Sequence, residues 1–234
     1  MTAPSSTFFR PAVSTIVPVH NGARYLHQAL ESLRSELTPG DEIIVVDDGS
    51  TDGSAELAAS WKGPVQVLKQ TNAGPAAARN RALTAASGEW IAFLDADDLA
   101  MPDRLARLGP HLFGPNGADL VYGGQRRFVS PDCIPPGAPA SPETDEPIAC
   151  VLGAVLARRA VFDRVGVFNP ELRSGEVIEW FARAQAGHLH IQEVPGAVFR
   201  RRRHANNLSA DIRFRQEVLS AVRQALIGRR SRVS

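Results

Sequence analysis

Short runs of apolar and β-branched residues alternate with helical patterns through the first half of the 234-residue chain. The helical patterns have apolar residues every three or four positions, which is typical of helices packed on one side. Strands separated by helices pair in parallel, and their apolar runs are continuous because helices cover both sheet faces. The sequence therefore predicts a doubly wound α/β fold. The predicted strands are residues 13–19, 41–48, 64–69, 90–94 and 118–123.

Carboxylates follow two of these strands. In open parallel sheets, ligands bind outside the carboxyl ends of the strands, so both acidic groups are expected at one edge. Like charges in a partly dry cleft raise one another's pKa unless a cation neutralises them. Oxygen ligands favour Mg²⁺ or Mn²⁺, so the pattern predicts a divalent metal site, although Asp52 or Asp98 could instead cap the next helix. The two groups are Asp47-Asp48 and Asp95-Ala96-Asp97-Asp98.

Four stretches, in order, resemble the nucleotide-sugar-binding half of family 2 glycosyltransferases: TIVPVHNGARYLHQALESL, EIIVVDDGSTDGS, QTNAGPAAARNRAL and WIAFLDADD. The resemblance covers residues 12–122 strongly and 150–209 more loosely. It implies a GT-A fold, which is an α/β, Rossmann-like, mostly parallel sheet with helices on both faces. Dinucleotide binding is not indicated, because no G-x-G-x-x-G follows the first strand.

The resemblance also implies how a nucleotide-sugar donor, usually UDP-linked, would be held. The loop after the first strand and the acidic pair after the second would contact the base and ribose, since carboxylates accept hydrogen bonds from both. Arg79 would reach the nucleotide side of the cleft, or would simply be an exposed helix residue. The other predicted donor-binding residues are Pro18, Val19, His20, Asn21, Asp47, Asp48, Asp95, Ala96, Asp97 and Arg202.

The DADD stretch matches the DXD motif of this family. Asp97 is the expected direct ligand of Mn²⁺ or Mg²⁺, and Asp95 would contact the ribose or a metal-bound water. The basic run FRRRRHANNLS (199–209) matches a family segment that places its histidine, here His204, near the metal or phosphate. Arg202 would then bind phosphate. The same run could instead be a solvated tail or a nucleic-acid patch.

An inverting transferase needs a base to take a proton from the attacking hydroxyl. Relatives usually place it in a Glu-Asp pair that opens a helix after a G-x-F turn. The segment 165–184 resembles that region, but Val177 stands at the aspartate position. The resemblance therefore points to Glu176 or Glu179 as the base, or to lost turnover. Both glutamates could equally be helix residues favoured by the dipole or by solvent.

Three parts are expected along the chain. Residues 1–122 would bind the donor, and 123–209 would form the acceptor-binding and catalytic part of the same domain. The proline-rich stretch 126–147 is predicted to be a loop beside the acceptor. Residues 210–234 would form a basic amphipathic helix. This helix would pack on the domain or on a second copy in a homodimer, with peripheral membrane contact as the alternative.

Charge and hydropathy set the expected partners and location. The formal net charge is +1, which favours neither nucleic acid nor an anionic membrane as the main partner. No stretch approaches a membrane span, and the start does not have the pattern of a signal peptide. We therefore expect a cytoplasmic protein.

The sequence as a whole predicts a metal-dependent, inverting, hexosyltransferase-like enzyme. Its acceptor could be a glycan, a lipid-linked glycan, a peptide or a small molecule. The alternative is an inactive nucleotide-sugar-binding or scaffold protein. A nucleotidyltransferase would need a basic, glycine-rich loop after the first strand, which the chain lacks.

Overall fold

The computed structural model describes residues 10–114, 116–134, 142–146, 151–172 and 174–204. A single nine-stranded sheet runs through these residues. Its strands are β1 (Val13–Val19), β2 (Glu42–Asp48), β3 (Val65–Gln70), β4 (Trp90–Phe93), β5 (Leu99–Ala100), β6 (Leu120–Val129), β7 (Thr144–Glu146), β8 (Val155–Arg158) and β9 (Ile191–Arg203). The strand order is β3-β2-β1-β4-β8-β6-β9-β5, and β7 pairs with β6.

Helices cover both faces of this sheet. They are α1 (Ala23–Leu33), α2 (Ser54–Ser60), α3 (Pro75–Ala85), α4 (Arg104–Leu108), α5 (Ala160–Val165) and α6 (Glu176–Ala186). Alternate residues of each central strand face opposite sides. Thus Ile16 packs in the cluster that holds α3, α5 and α6, while Val17 packs against α1 and α2. Both faces of β1 are therefore buried, which explains its continuous apolar run.

The first four helix-separated strands form the parallel sheet that the alternation predicts. β1 lies between β2 and β4, with Ile16 beside Ile44 on one side and Phe93 on the other. β3 adds in parallel beyond β2. The carboxyl ends of these strands consequently meet at one edge of the sheet, here called the rim.

The sheet beyond β4 departs from purely parallel pairing. β8 runs antiparallel to both β4 and β6, and β7 runs antiparallel to β6. Parallel neighbouring strands need a crossover connection, which is usually an α-helix. Among the described residues no α-helix lies in the sequence between β6 and β8, and these two strands pair antiparallel. Only β6 and β9 restore parallel pairing.

Part of the predicted loop 126–147 is strand, so that prediction was wrong at its ends. Residues 126–129 complete β6, and Thr144–Glu146 forms β7. The prolines that suggested a loop begin only at Pro131. β7 is a short edge strand that lies in the sequence between Pro142 and Pro147. The basic run 199–203 likewise belongs to β9 rather than to a tail.

Aromatic packing fixes the start of α6. The Trp180 ring stacks on Phe162 with centroids 5.1 Å apart, and Phe168 packs against both rings. The Trp180 indole also donates to the Gly166 carbonyl oxygen at 2.7 Å. Gly175, with φ of 79°, turns the chain sharply into the helix in a conformation that suits glycine. The first residue of α6 is thereby held toward the rim.

The carboxylate of Asp41 anchors the opposite end of the sheet. It accepts hydrogen bonds from both terminal nitrogens of Arg10, from the backbone of Val13 and from Thr38. Burial raises the pKa of Asp41, but these hydrogen bonds outweigh it and leave the pKa lowered. Stabilisation from a lowered carboxyl pKa is present above the unfolded-state pKa and is lost as pH falls through the folded-state pKa.

We therefore expect Asp41→Asn to lower the free energy of unfolding at pH 7 by roughly 2 kcal/mol, because several buried donors lose a charged acceptor. The difference from wild type should shrink as the pH falls from the ordinary aspartate pKa through the lowered pKa of folded Asp41, because the wild-type carboxyl then becomes protonated too. Urea unfolding at neutral and acid pH measures both effects. Asp163→Asn, at an exposed position in α5, is the matched control. A difference that stays constant with pH would contradict this assignment.

None of the helices in the described ranges is long and apolar enough to cross a membrane. The predicted C-terminal helix, 210–234, lies outside the described residues.

Candidate active site

β1 ends where the sequence predicted, so two of the residues assigned to donor binding lie in the strand and not in the loop after it. Pro18 and Val19 are the last two residues of β1, paired in register with Val46 and Asp47, and the Val19 side chain is buried in the core. The loop itself therefore starts at His20. Of the four predicted donor-binding residues here, His20 and Asn21 are the two at the rim.

Hydrogen bonds tie this loop to its neighbours. His20 Nδ1 lies 2.8 Å from the Asp48 carbonyl oxygen, so the ring donates there. Asn21, with φ of 51°, accepts from the Thr51 backbone N–H at 2.8 Å. Asp52 accepts from the Ala23 backbone N–H at 2.9 Å, and so caps α1 from the β2–α2 loop. These hydrogen bonds thus join the β1–α1 loop and the β2–α2 loop into one surface at the rim.

The two aspartates that end β2 have different hydrogen-bond partners. Both carboxylates are buried, with 4% of each residue exposed. Asp48 accepts from Gln70 and from two backbone N–H groups, those of Ala73 and Gly74. Asp47 accepts from the Ser50 backbone N–H at 3.2 Å. Asp48 therefore holds the β3–α3 loop in place, and Asp47 keeps more of its acceptor capacity for a ligand.

The DADD stretch is a tight turn directly after β4, closed by a bond from the Asp98 N–H to the Asp95 carbonyl. Its three carboxylates point to different partners. Asp95 contacts Arg79 at 2.9 Å, Asp97 lies 2.9 Å from His204 Nε2, and Asp98 accepts from the Arg202 backbone at 2.8 Å. The Asp95 and Asp97 side chains are 41% and 32% exposed, so both can reach a ligand.

Electrostatics at this turn fit a bound cation. Burial, and then the charge of Asp95, raise the pKa of Asp97. Burial raises the pKa of Asp98 further, with the charges of Asp97 and Asp95 adding to the shift. A divalent cation would relieve this repulsion and favour the ionised carboxylates.

The three predicted metal ligands do not form one preorganised group. No cluster of three or more His, Cys, Asp or Glu side chains suited to a metal occurs in the part of the chain that the structure describes. Asp97 and His204 lie together, whereas Asp95 is turned to Arg79. This arrangement fits a metal that takes its remaining ligands from substrate phosphates and water, as Mg²⁺ commonly does.

Arg79 links the acidic turn to α6. Arg79 is buried, with 6% of its surface exposed. Its guanidinium donates to Asp95 at 2.9 Å and to Glu176 at 2.6 Å. Arg79 Nε is buried with no hydrogen-bond partner among the described residues. The sequence placed Arg79 and Glu176 at the site separately but did not predict their contact, which joins residues 97 positions apart.

The two candidate bases occupy different surroundings. Glu176, 5% exposed, belongs to the Arg79 group at the rim. Glu179 forms a two-point ion pair with Arg183, which also donates to the carbonyls of Val165 and Val167. Glu179 therefore supports the α5–α6 connection. Val177 packs against the hydrophobic core.

Arg202 supports the acidic turn from behind. Its Nε donates to the Asp97 carbonyl at 2.7 Å, and another nitrogen donates to Gln28. The guanidinium stacks on Tyr25 and Phe128, 4.6 and 4.7 Å from the ring centroids. Arg202 is only 3% exposed. The sequence predicted a phosphate contact here, whereas the structure shows the guanidinium engaged with protein groups.

Tyr25, Gln28 and Phe128 contact Arg202 at the candidate site, and sequence reasoning missed them. Tyr25 also contacts the His204 ring, with centroids 4.7 Å apart. Tyr25 and Gln28 lie within the first stretch that carries the family resemblance, but they were given no role, and Phe128 lies in none of the four stretches. The available signal was the buried face of α1, which includes Tyr25.

Comparison with known proteins gives consistent matches. The family model described as "Glycosyl transferase family 2" matches residues 14–136. An uncharacterized glycosyltransferase of Rickettsia felis is 41% identical over 201 residues, covering 78% of this chain and 33% of that protein. The putative glycosyltransferase EpsH of Bacillus subtilis is 45% identical over 96 residues, covering 40% of this chain and 28% of EpsH. The chain thus spans about a third or less of these two relatives.

Solved structures share the fold. S. aureus TarS in complex with UDP superposes with a TM-score of 0.65 at 25% identity, covering 82% of this chain and 60% of that one. The mannosyltransferase PcManGT from Pyrobaculum calidifontis, in complex with GDP-Man and Mn²⁺, gives a TM-score of 0.68 at 22% identity. It covers 87% of this chain and 60% of that one. These matches confirm the predicted GT-A type of α/β fold.

Proposed function

Because the chain belongs to glycosyltransferase family 2, we propose that it transfers a sugar from a UDP-linked donor to an acceptor, with metal help and with inversion at the anomeric carbon. One observation carries the proposal. The acidic turn after β4 lies at the same rim as the acidic pair that ends β2, and Arg79 connects that turn to Glu176. A donor across this rim would meet acidic, basic and backbone groups together.

The β1–α1 loop and the β2–α2 loop would bind the donor. Asp47, His20 and Asn21 would contact the uracil and ribose, with Asp48 shaping the surface behind them. UDP in a TarS complex is consistent with such a donor. Arg79 and Asp95 would face the sugar, since the exposed edge of Asp95 can accept hydrogen bonds from sugar hydroxyls.

Asp97 and His204 are the residues that would hold Mn²⁺ or Mg²⁺. When bound, such an ion neutralises charge on the diphosphate leaving group. Asp97 supplies a carboxylate whose raised pKa reflects burial and the nearby charge of Asp95. His204 lies 2.9 Å from it and can orient it. The Mn²⁺ in the PcManGT complex is consistent with a divalent cation in a protein of this fold.

Glu176 would accept the proton of the attacking hydroxyl. It is the glutamate that the structure holds beside the acidic turn, whereas Glu179 is engaged by Arg183. A base within reach of the acceptor hydroxyl would allow direct displacement of the diphosphate, and hence inversion.

Binding without turnover is the second candidate function. Val177 packs against the core where relatives usually have aspartate, and Glu176 is ion-paired with Arg79. A protein with this arrangement could hold a nucleotide sugar and fail to activate an acceptor.

Two measurements separate these functions. We expect Mn²⁺ with UDP to raise the melting temperature, because a ligand that binds only the native state stabilises it. We also expect slow release of UDP from a matching UDP-sugar. Stabilisation by UDP without release from any nucleotide sugar would support the binding protein. A melting temperature that no nucleoside diphosphate changes, with or without Mn²⁺, would contradict both functions.

A further inference from the structure

A ladder of arginines crosses the β6–β9 pair close to the candidate active site. In the parallel register, Arg126 lies beside Arg200, and Arg127 lies beside Arg201. Like charges directly opposite one another in a sheet are destabilising, so such a ladder requires anions nearby. The donor and metal roles proposed above use none of these four arginines.

Carboxylates from one short segment meet this ladder. The acidic segment, residues 142–146, places Asp145 against Arg126 in a two-point contact and Glu146 against Arg127 at 2.6 Å. Glu143 pairs with Arg200. All three are at least partly exposed ion pairs, which individually contribute little stability. A ligand with stronger anionic groups could therefore replace them.

Beside the ladder lies a pocket of about 570 Å³, a size typical of small-ligand sites. Three arginines, Arg24, Arg200 and Arg202, line it, and Glu143 is the carboxylate among its lining residues. Its apolar surface includes Phe128 and Ile134. The Arg200 guanidinium stacks on Phe128 at 4.6 Å, which fixes the charge beside that apolar surface.

This pocket adjoins the acidic turn through shared side chains. Arg202 forms part of its wall and donates to the Asp97 carbonyl. Tyr25 also lines it and contacts His204, the partner of Asp97. A group bound there would lie across one layer of side chains from the proposed metal-binding residues.

We propose that this pocket binds a phosphate group of the acceptor, and that Glu143 occupies the phosphate-binding position of Arg200 until the acceptor arrives. Arginine suits phosphate because its planar donors match two phosphate oxygens. The apolar lining accommodates the group esterified to that phosphate. That the bound phosphate belongs to an acceptor rests on the proposed transferase function, whereas phosphate binding itself does not and is tested without donor or metal.

The first test measures phenyl phosphate binding by calorimetry in EDTA. Glu143→Gln should tighten binding about two- to fivefold, since it removes an exposed ion pair that competes for Arg200. Arg200→Gln should weaken binding about tenfold or more, because a charge-assisted hydrogen bond is lost. Glu56→Gln is the matched control, because Glu56 pairs with Lys69 at the far edge of the sheet. Tighter binding by Glu143→Gln cannot arise from misfolding.

A second arm identifies the source of the phosphate. Phosphatidylcholine vesicles with and without about 20 mol% phosphatidic acid, an anionic lipid that attracts basic residues, are added to the same variants. Changes with phenyl phosphate support a soluble phosphate ester, and changes with phosphatidic acid vesicles alone support a lipid headgroup. Equal binding by all variants to both probes would overturn the proposal.

Donor binding provides the last discrimination. UDP affinity with Mn²⁺ should be the same in wild type, Glu143→Gln and Arg200→Gln. If Arg200→Gln weakens UDP as much as phenyl phosphate, the pocket belongs to the donor site and the proposal is overturned. If wild type binds no nucleotide yet the phenyl phosphate series behaves as expected, the transferase function fails while the phosphate site stands.

Discussion

Replacing Asp97 with asparagine is expected to reduce sugar transfer by a factor on the order of 10²–10³, the usual cost of losing one preorganised electrostatic contact at a reacting centre. Asparagine keeps the size of the side chain and can still accept from His204. It loses the negative charge, which is what a divalent cation requires of this position. The apparent affinity for Mn²⁺ should fall together with the rate.

The measurement is the initial rate of UDP release across a Mn²⁺ titration. Asp103→Asn is the matched control, because Asp103 is exposed and its nearest ion-pair contact, to Arg107, is long at 3.9 Å. Removing one like charge beside Asp98 should also leave the melting temperature of Asp97→Asn unchanged or higher, since the Asp97 charge raises the pKa of Asp98. Full activity at saturating Mn²⁺ would exclude Asp97 as a metal ligand in catalysis.

The parallel half of the fold could be predicted because its signals are local. β1, β2 and β4 each contain a continuous apolar run, α1 has an apolar stripe, and α3 has end signals such as Pro75 at its start. The antiparallel half has no such regularity. Its pairing depends on connections without helices, and β7 is three residues long, below the length at which periodicity can be recognised.

The site could be predicted only as separate pieces. Motifs marked the acidic turn, and the family resemblance marked Glu176 and His204. The contact of Arg79 with Glu176 could not be predicted, because it depends on how aromatic packing around Trp180 docks α6. The resemblance assigned Arg202 to phosphate from its position two residues before His204. Its contacts with Tyr25 and Phe128 could not be predicted, because these two rings are more than 100 residues apart in the sequence.

Whether Arg79 inhibits or supports Glu176 as a base depends on what the donor does to the ion pair. A guanidinium that stays on Glu176 would occupy the carboxylate oxygen that must take the proton of the attacking hydroxyl. Arg79 also contacts Asp95 and has a buried Nε without a partner among the described residues. A donor sugar that engages Arg79 or Asp95 could therefore draw the guanidinium away and leave Glu176 to the acceptor.

We therefore expect Glu176→Gln to lower kcat by a factor of about 10²–10⁴, the range of general base catalysis, with little change in UDP affinity. Glutamine can still accept from Arg79, so the fold of the rim should persist. Glu179→Gln is the matched control and should keep most activity, because it loses only the bonds to Arg183. UDP release and UDP affinity, measured on both variants, separate catalysis from binding.

Val177→Asp tests the same assignment from the other direction. The new carboxylate would enter a position that packs against the core, so it should lower stability without raising the rate. A rate increase in Val177→Asp, together with unchanged turnover in Glu176→Gln, would mean that the wild-type chain lacks an effective base at the start of α6. The ion pair of Glu176 with Arg79 would then be structural, and binding without efficient transfer would describe the protein better.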